Sequence, residues 1–275
     1  LKSASSEFPL TARGAIDFTI NPAEGIDPLV DLLKKRQVNL VLVNFRAFGE
    51  AQERSGIDSK EAIAALEGID AEVGRLSGIA IGNDTTFVVV SDSARAPVER
   101  EFRPNVVLAK REFLTTDNKG DVVSWKAICH TTGGSAAVFI KNAQDEKLIT
   151  EVEKAFREIH EKAESPIWRV IVKREAARLG ADPRAILFLD ASPLYVMSSK
   201  ATGGTTARAN IRATSGYLPQ RSEMRATLVM AGRGIKPGVR LEFARLVDIA
   251  PTVSRMLGLE LRTSRGRVLN EVLIP

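Results

Sequence analysis

Histidine and cysteine are the scarcest reactive residues here, with two histidines and one cysteine in 275 residues. A lone Cys129 excludes an internal disulfide framework and any cysteine-built zinc site. It fits a reducing compartment without requiring one. Aromatic residues are only 5% of the chain, which disfavours the stacking platforms that grip single-stranded nucleic acid. No apolar run reaches the roughly 18 residues of a membrane-spanning helix, and no signal peptide is visible. Internal repeats and low-complexity tracts are absent too.

What is present is material for a core. Hydrophobic residues make up 44%, ample for a folded domain. The formal net charge of +5 is spread along the chain. Spread charge reads first as solubility, although it also suits an acidic partner, an anionic surface or a phosphate-bearing ligand.

The pattern is that of an α/β protein. Ile16, Phe18 and Ile20 alternate as on a strand. Asp27-Pro28 is a helix start, and Val38–Phe45 reads as a parallel strand covered on both faces. Asp58, with Glu61 three residues on, is expected to cap a helix whose stripe is Ala62, Leu66, Ile69, Val73 and Leu76. Thr86–Ser91 then forms a strand that delivers Asp92 at its C-terminal end, completing a strand–helix–strand crossover.

From Pro97 to Ser215 the pattern changes. Short strands are expected at Val106–Ala109, Val122–Ile128, Ala136–Ile140, Val170–Val172, Ile186–Leu189 and Tyr195–Met197. Helices are expected at Glu146–Ala163 and Glu175–Leu179, the latter ended by Gly180. Ala201–Gly216 reads as a long loop, Ala226–Met230 as a strand, and Asp248 as the cap of a last helix closed by Gly258. Gly232–Gly238 lacks the Gly-Lys-Ser/Thr ending of a phosphate-binding loop.

Several segments together resemble the alkaline phosphatase superfamily, in its type I phosphodiesterase/nucleotide pyrophosphatase branch. They are Phe87–Asp92, Gly133–Ala136, Leu179–Arg184, Gly216–Pro219 with Arg221 and Met224–Ala226, Gly232–Gly238, and Asp248–Thr252. The resemblance implies a doubly wound, mostly parallel sheet flanked by helices. The expected organisation is one truncated domain over residues 1–275, with a core at 15–96 and 216–275 and a cap-like α+β insertion at 97–215. The chain opens on Leu1, and the upstream strand and helix that carry one family aspartate and the nucleophile are expected to be missing.

Working members of that family hold two zinc ions through aspartates and histidines, and a threonine or serine attacks phosphorus. The carry-over places Gly49 at the aspartate and Glu53 at the histidine of the Asp-x-x-x-His motif. Asp92 and Ser93 fall at the Asp-His pair, and Ser215 at the histidine before Gly-Tyr-Leu-Pro. His130 sits where the family often has a histidine that is not a ligand, and His160 lies in an amphipathic helix. Serine and glycine are poor zinc ligands, and one carboxylate cannot hold zinc against water.

The expectation is therefore a pseudoenzyme with no cofactor, a structural or interaction subunit of a larger assembly with a protein partner or an oligomer mate. Zinc is expected only under an alternative, a hydrolase of phosphodiester, phosphomonoester or sulfate ester bonds using a rearranged or shared site. A second alternative is a module that binds a phosphate ligand through Arg208, Arg212 and Arg221. Asp92 reads first as a turn cap, with a Mg²⁺ or Ca²⁺ site at Asp92 and Glu53 as a lesser reading. Trp125 and Trp168 read as packing residues and Cys129 as a small buried hydrophobe. No nucleic-acid partner is expected, and peripheral membrane association stays open. Relatives are often exported, which leans the location toward an extracytoplasmic one without fixing it.

Overall fold

The computed structural model describes residues 15–20, 26–34, 39–82 and 85–275. In chain order its elements are β1 (Ala15–Ile20), α1 (Asp27–Lys34), β2 (Leu40–Phe45), α2 (Ala47–Ser55), α3 (Lys60–Gly82), β3 (Thr86–Val90), β4 (Ala96–Phe102), α4 (Pro104–Lys110), β5 (Leu114–Thr116), β6 (Val122–Trp125), β7 (Ala127–Thr132) and β8 (Ser135–Ile140). They continue with α5 (Glu146–His160), β9 (Ile167–Val172), α6 (Lys173–Arg178), β10 (Leu187–Ala191), β11 (Leu194–Met197), β12 (Thr206–Arg208), β13 (Ala213–Thr214), β14 (Leu228–Gly232) and α7 (Ile249–Met256).

The chain forms two compact units, one of residues 1–50, 63–92 and 226–275, the other of residues 51–62 and 93–225. The first unit holds the parallel ladder β1–β2 and the antiparallel ladder β14–β3. Its core gathers Ile26, Leu29 and Val30 of α1 with Leu76 of α3, and Val41, Val43, Phe45 and Phe87 pack against them. β2 was expected to be covered on both faces. Its described burial alternates instead, and Leu42 points out at 54% exposure. β2 and β3 lie in separate ladders among the described residues, so no direct β2–β3 pairing follows the crossover. Ser59, not Asp58, caps α3: its hydroxyl accepts from the Ala62 N–H at 3.1 Å. Leu66, expected inward, is 47% exposed.

The second unit is built on the antiparallel sheet β7-β8-β10-β9 and a smaller sheet in which β4 pairs with β11, β12 and β13. Parallel pairing is confined, among the described ladders, to β1–β2 and β11–β4. The α5 helix lays Leu148, Val152, Ala155 and Phe156 into the main core, as its apolar stripe requires, and Asp145 caps it by accepting from the Leu148 N–H at 3.0 Å.

Two readings of this unit are corrected. Val106–Ala109 was expected as a strand but belongs to the helix α4, because Pro104 at the first helical turn pre-sets φ. Every residue from Pro104 to Leu108 is buried, so no periodicity could separate helix from strand. Ala201–Gly216, expected as loop, contains β12 and β13, both antiparallel to β4. α4 also carries the buried Asn105. Its amide oxygen accepts from the Cys129 N–H at 2.8 Å, and its amide nitrogen donates to the Cys129 and Ser199 carbonyls. Cys129 is buried as expected, and burial pushes its thiol pKa up.

Candidate functional site

Asp92 follows β3, whose apolar run ends at Val90. Just before it, the Ser91 N–H donates to the Thr227 carbonyl at 3.1 Å, and the Thr227 N–H donates to the Ser91 hydroxyl at 2.9 Å. This reciprocal pair fixes the end of the β3–β14 ladder, and Asp92 emerges from it exposed. Gly49 and Glu53 lie on α2 four residues apart, on one helix face. The Glu53 carboxylate is engaged by Arg95 at 3.2 Å, and its carbonyl accepts from the Arg212 N–H at 2.7 Å. Ser93 follows directly in the second unit.

Ser215 is held by its main chain: its carbonyl accepts from the Gly134 N–H at 2.8 Å. Around it the two glycine motifs interlock. Gly216 has φ +82°, and a Cβ there would overlap the Thr132 carbonyl oxygen. A Cβ on Gly133 would overlap the Ser215 carbonyl oxygen, and one on Gly134 would overlap the Tyr217 ring. So the glycines admit a close crossing of two backbones and a ring. Tyr217 continues the lock, its hydroxyl donating to the Tyr195 carbonyl at 2.7 Å.

Beneath that crossing lies Asp190, which is fully buried. It accepts from the Leu218 N–H at 3.1 Å and from two nitrogens of Arg221, at 2.6 and 2.9 Å. Arg221 also donates to the Ala191 carbonyl and lies 4.7 Å from the Tyr217 ring centroid. Burial pushes the Asp190 carboxyl above its ordinary value, while Arg221 and the Leu218 N–H pull against that shift. Arg221 is thus committed to Asp190 and is not grouped with Arg208 and Arg212. Trp168, expected as packing, is 55% exposed, with Arg221 5.9 Å from its ring.

Arg208 and Arg212 do come together, and the third residue with them is Arg100. These three, with Glu99 and Ala207, line a shallow depression of about 520 Å³. Sequence reading missed Arg100 because β4 was not foreseen. Apolar Val98 and Phe102 are the signal of a strand there, but Pro97 and the three consecutive charges Glu99, Arg100 and Glu101 masked it.

The zinc ligand set does not fit these residues. Glu53 is ion-paired, Ser215 uses its carbonyl for the glycine crossing, and Gly49 has no donor side chain. Among the described residues, no three His, Cys, Asp or Glu side chains gather as a metal cluster would need. His130 is exposed on β7, and His160 Nδ1 lies 3.0 Å from the Ile167 carbonyl. Among the described residues no helix is long and apolar enough to cross a membrane.

Comparison with known proteins supports the fold. Human ectonucleotide pyrophosphatase/phosphodiesterase 5 superposes with a TM-score of 0.65 at 13% identity, over 93% of this chain and 65% of that one. An inactive variant of the murine protein, solved in complex with AMP, gives 0.67 at 15% identity, over 92% and 65%. This chain therefore spans about 65% of the length of those structures. No curated protein sequence matches it. A sequence profile of the family does match, over residues 11–217. On that match, carried by an α/β fold shared with solved relatives, the chain belongs to the type I phosphodiesterase/nucleotide pyrophosphatase family.

Proposed function

We propose that this chain is a non-catalytic member of its family, a structural or interaction subunit that keeps the phosphodiesterase fold without two-zinc chemistry. The observation that carries the reading is the donor set. Gly49, Glu53, Ser93 and Ser215 stand where the resemblance calls for one aspartate and three histidines, and Glu53 is neutralised by Arg95 at 3.2 Å. Zinc needs several nitrogen, sulfur or carboxylate donors converging on one point, and lowering a nucleophile's pKa depends on that charge. Without it, fold alone supplies no chemistry.

The interaction half of the proposal is supported by apolar surface on the first unit. Phe243 is 72% exposed, and Leu246 and Val247 lie at 46% and 50% in the same segment. Large apolar side chains exposed close together in sequence mark surfaces that bury against a partner.

The test loads the purified chain with zinc, removes free metal, and measures bound metal by elemental analysis. Turnover of nitrophenyl phosphodiester, phosphomonoester and sulfate ester is measured in parallel. The expected result is well under one zinc per chain and no turnover. About two tightly held zinc ions, with turnover lost in Asp92→Ala, would overturn the reading. A protein that is monomeric and recovers no partner from its source would remove the interaction half.

A further inference from the structure

Half of the fourteen arginines of the second unit are ion-paired. Arg95, Arg103, Arg111, Arg157, Arg169, Arg184 and Arg221 each have a carboxylate. Among the described residues Arg100, Arg208 and Arg212 have none, and they converge on one depression. Their placement is strained electrostatically. In the antiparallel β12–β4 ladder, Arg208 stands directly opposite Arg100. Like charges in direct cross-strand register repel and destabilise the pair. Arg212 is brought beside them by the Val98 N–H, which donates to its carbonyl at 2.8 Å. Among the described residues Glu99 is the one acid in the lining, and no ion pair joins it to any of the three.

The strand is also shaped locally. On the β11 side the register of β4 slips at Glu99, between the pairs Leu194–Val98 and Tyr195–Arg100. A bulge of this kind re-aims the following side chain. Arg100 then rests 5.3 Å from the Tyr195 ring centroid, which steadies the guanidinium without neutralising it. Three exposed guanidiniums against one carboxylate leave the depression with two uncompensated positive charges.

We propose that this depression binds a compact small-molecule oxyanion of at least two negative charges, a phosphate monoester or a diphosphate group. Guanidinium forks match phosphoryl oxygens in pairs, and an anion between Arg100 and Arg208 converts their repulsion into shared attraction. The site is independent of the zinc reading, since none of its residues stands at a ligand position.

The test uses the whole chain with three probes, inorganic phosphate, inorganic diphosphate and methyl phosphate, titrated calorimetrically at fixed ionic strength. Thermal melts with sodium chloride serve as reference. Saturable binding of diphosphate or methyl phosphate is expected, weakened about tenfold or more in Arg208→Gln and in Arg100→Gln. Diphosphate alone assigns the free anion, and methyl phosphate binding assigns an esterified one; either upholds the site. Without ligand, Arg208→Gln should melt no lower than the unmodified protein, because it removes a repulsion. Stabilisation equal to that of sodium chloride would overturn the proposal. So would affinities unchanged in both variants, or an unliganded Arg208→Gln that melts several degrees lower, since that assigns the arginine to the fold.

Discussion

Among the described residues each of the two units buries one aspartate, and the two carboxyls are shifted in opposite directions. In the second unit, Asp190 is met by a guanidinium fork and one backbone N–H, and burial pushes its carboxyl up. In the first unit, Asp248 is 2% exposed and is met by two backbone N–H groups as well as a guanidinium. It accepts from the N–H groups of Arg245 and Arg267 at 3.0 and 2.9 Å, and from the Arg245 guanidinium at 3.0 Å. Burial opposes its ionisation, but those donors together hold the carboxyl below its ordinary range. Both aspartates sit by sequence segments that resemble the family, and both organise backbone. Part of that family likeness is therefore explained by folding requirements alone.

The largest test of the contrast is to remove the acid of the ion pair. Asp190→Ala leaves the Arg221 guanidinium, whose side chain is 11% exposed, with only the half-exposed Glu223 carboxylate at 3.6 Å. Stranding one member of a buried pair costs about 3–5 kcal/mol. Replacing both, with Asp190→Leu and Arg221→Met, should recover much of that loss. Urea unfolding measures it, and a loss in Asp190→Ala below about 1 kcal/mol would show the pair to be ornamental.

A smaller effect is expected at the crossing above that pair. Gly216→Ala places a methyl group against the Thr132 carbonyl at a positive φ. Such a backbone conformation costs about 1–3 kcal/mol, and the clash must be relieved by separating the Gly216 and Thr132 backbones. Gly238, also at positive φ but with nothing near its Cβ, is the control. Gly216→Ala should unfold in less urea than Gly238→Ala, and equal midpoints would locate the cost in φ alone.

How far the sequence discloses this molecule depends on what each signal measures. Amphipathic α5, with Leu148, Val152 and Phe156 inward, is legible because its period reports one buried face. α4 is not legible by period, since all of its first five residues are buried and only Pro104 betrays it. The strands β12 and β13 are three and two residues long, too short to carry any alternation. At the site, positions aligned by motif are legible, but their partners are not. That Arg221 belongs to Asp190, 31 residues away in the chain, and that Arg100 joins Arg208 across a ladder, depend on pairing between distant strands. The same holds for Asp248, which reads as a helix cap. No side-chain bond to the start of α7 is formed, because the carboxylate is taken by Arg245 and the distant Arg267.

The last and smallest test turns the contrast into a sign. A carboxyl held low in the folded state contributes stability above its unfolded value, about 3.9, and loses it as pH falls through the folded value. Asp248 is of this kind, so the deficit of Asp248→Asn, about 1 kcal/mol at pH 7, should shrink on acidification below pH 4. A carboxyl pushed up behaves oppositely: the folded state takes its proton first, and stability rises as pH falls through the folded value toward the unfolded one. Asp190 is of that kind, so the deficit of Asp190→Asn should grow in the window just above pH 4, before the deficit of Asp248→Asn shrinks below it. Because asparagine does not titrate, each difference curve isolates one carboxyl. Urea midpoints from pH 7 to 3 for the three proteins give both slopes. Parallel slopes would mean that the guanidinium at Asp190 outweighs burial, and the two aspartates would then be held alike.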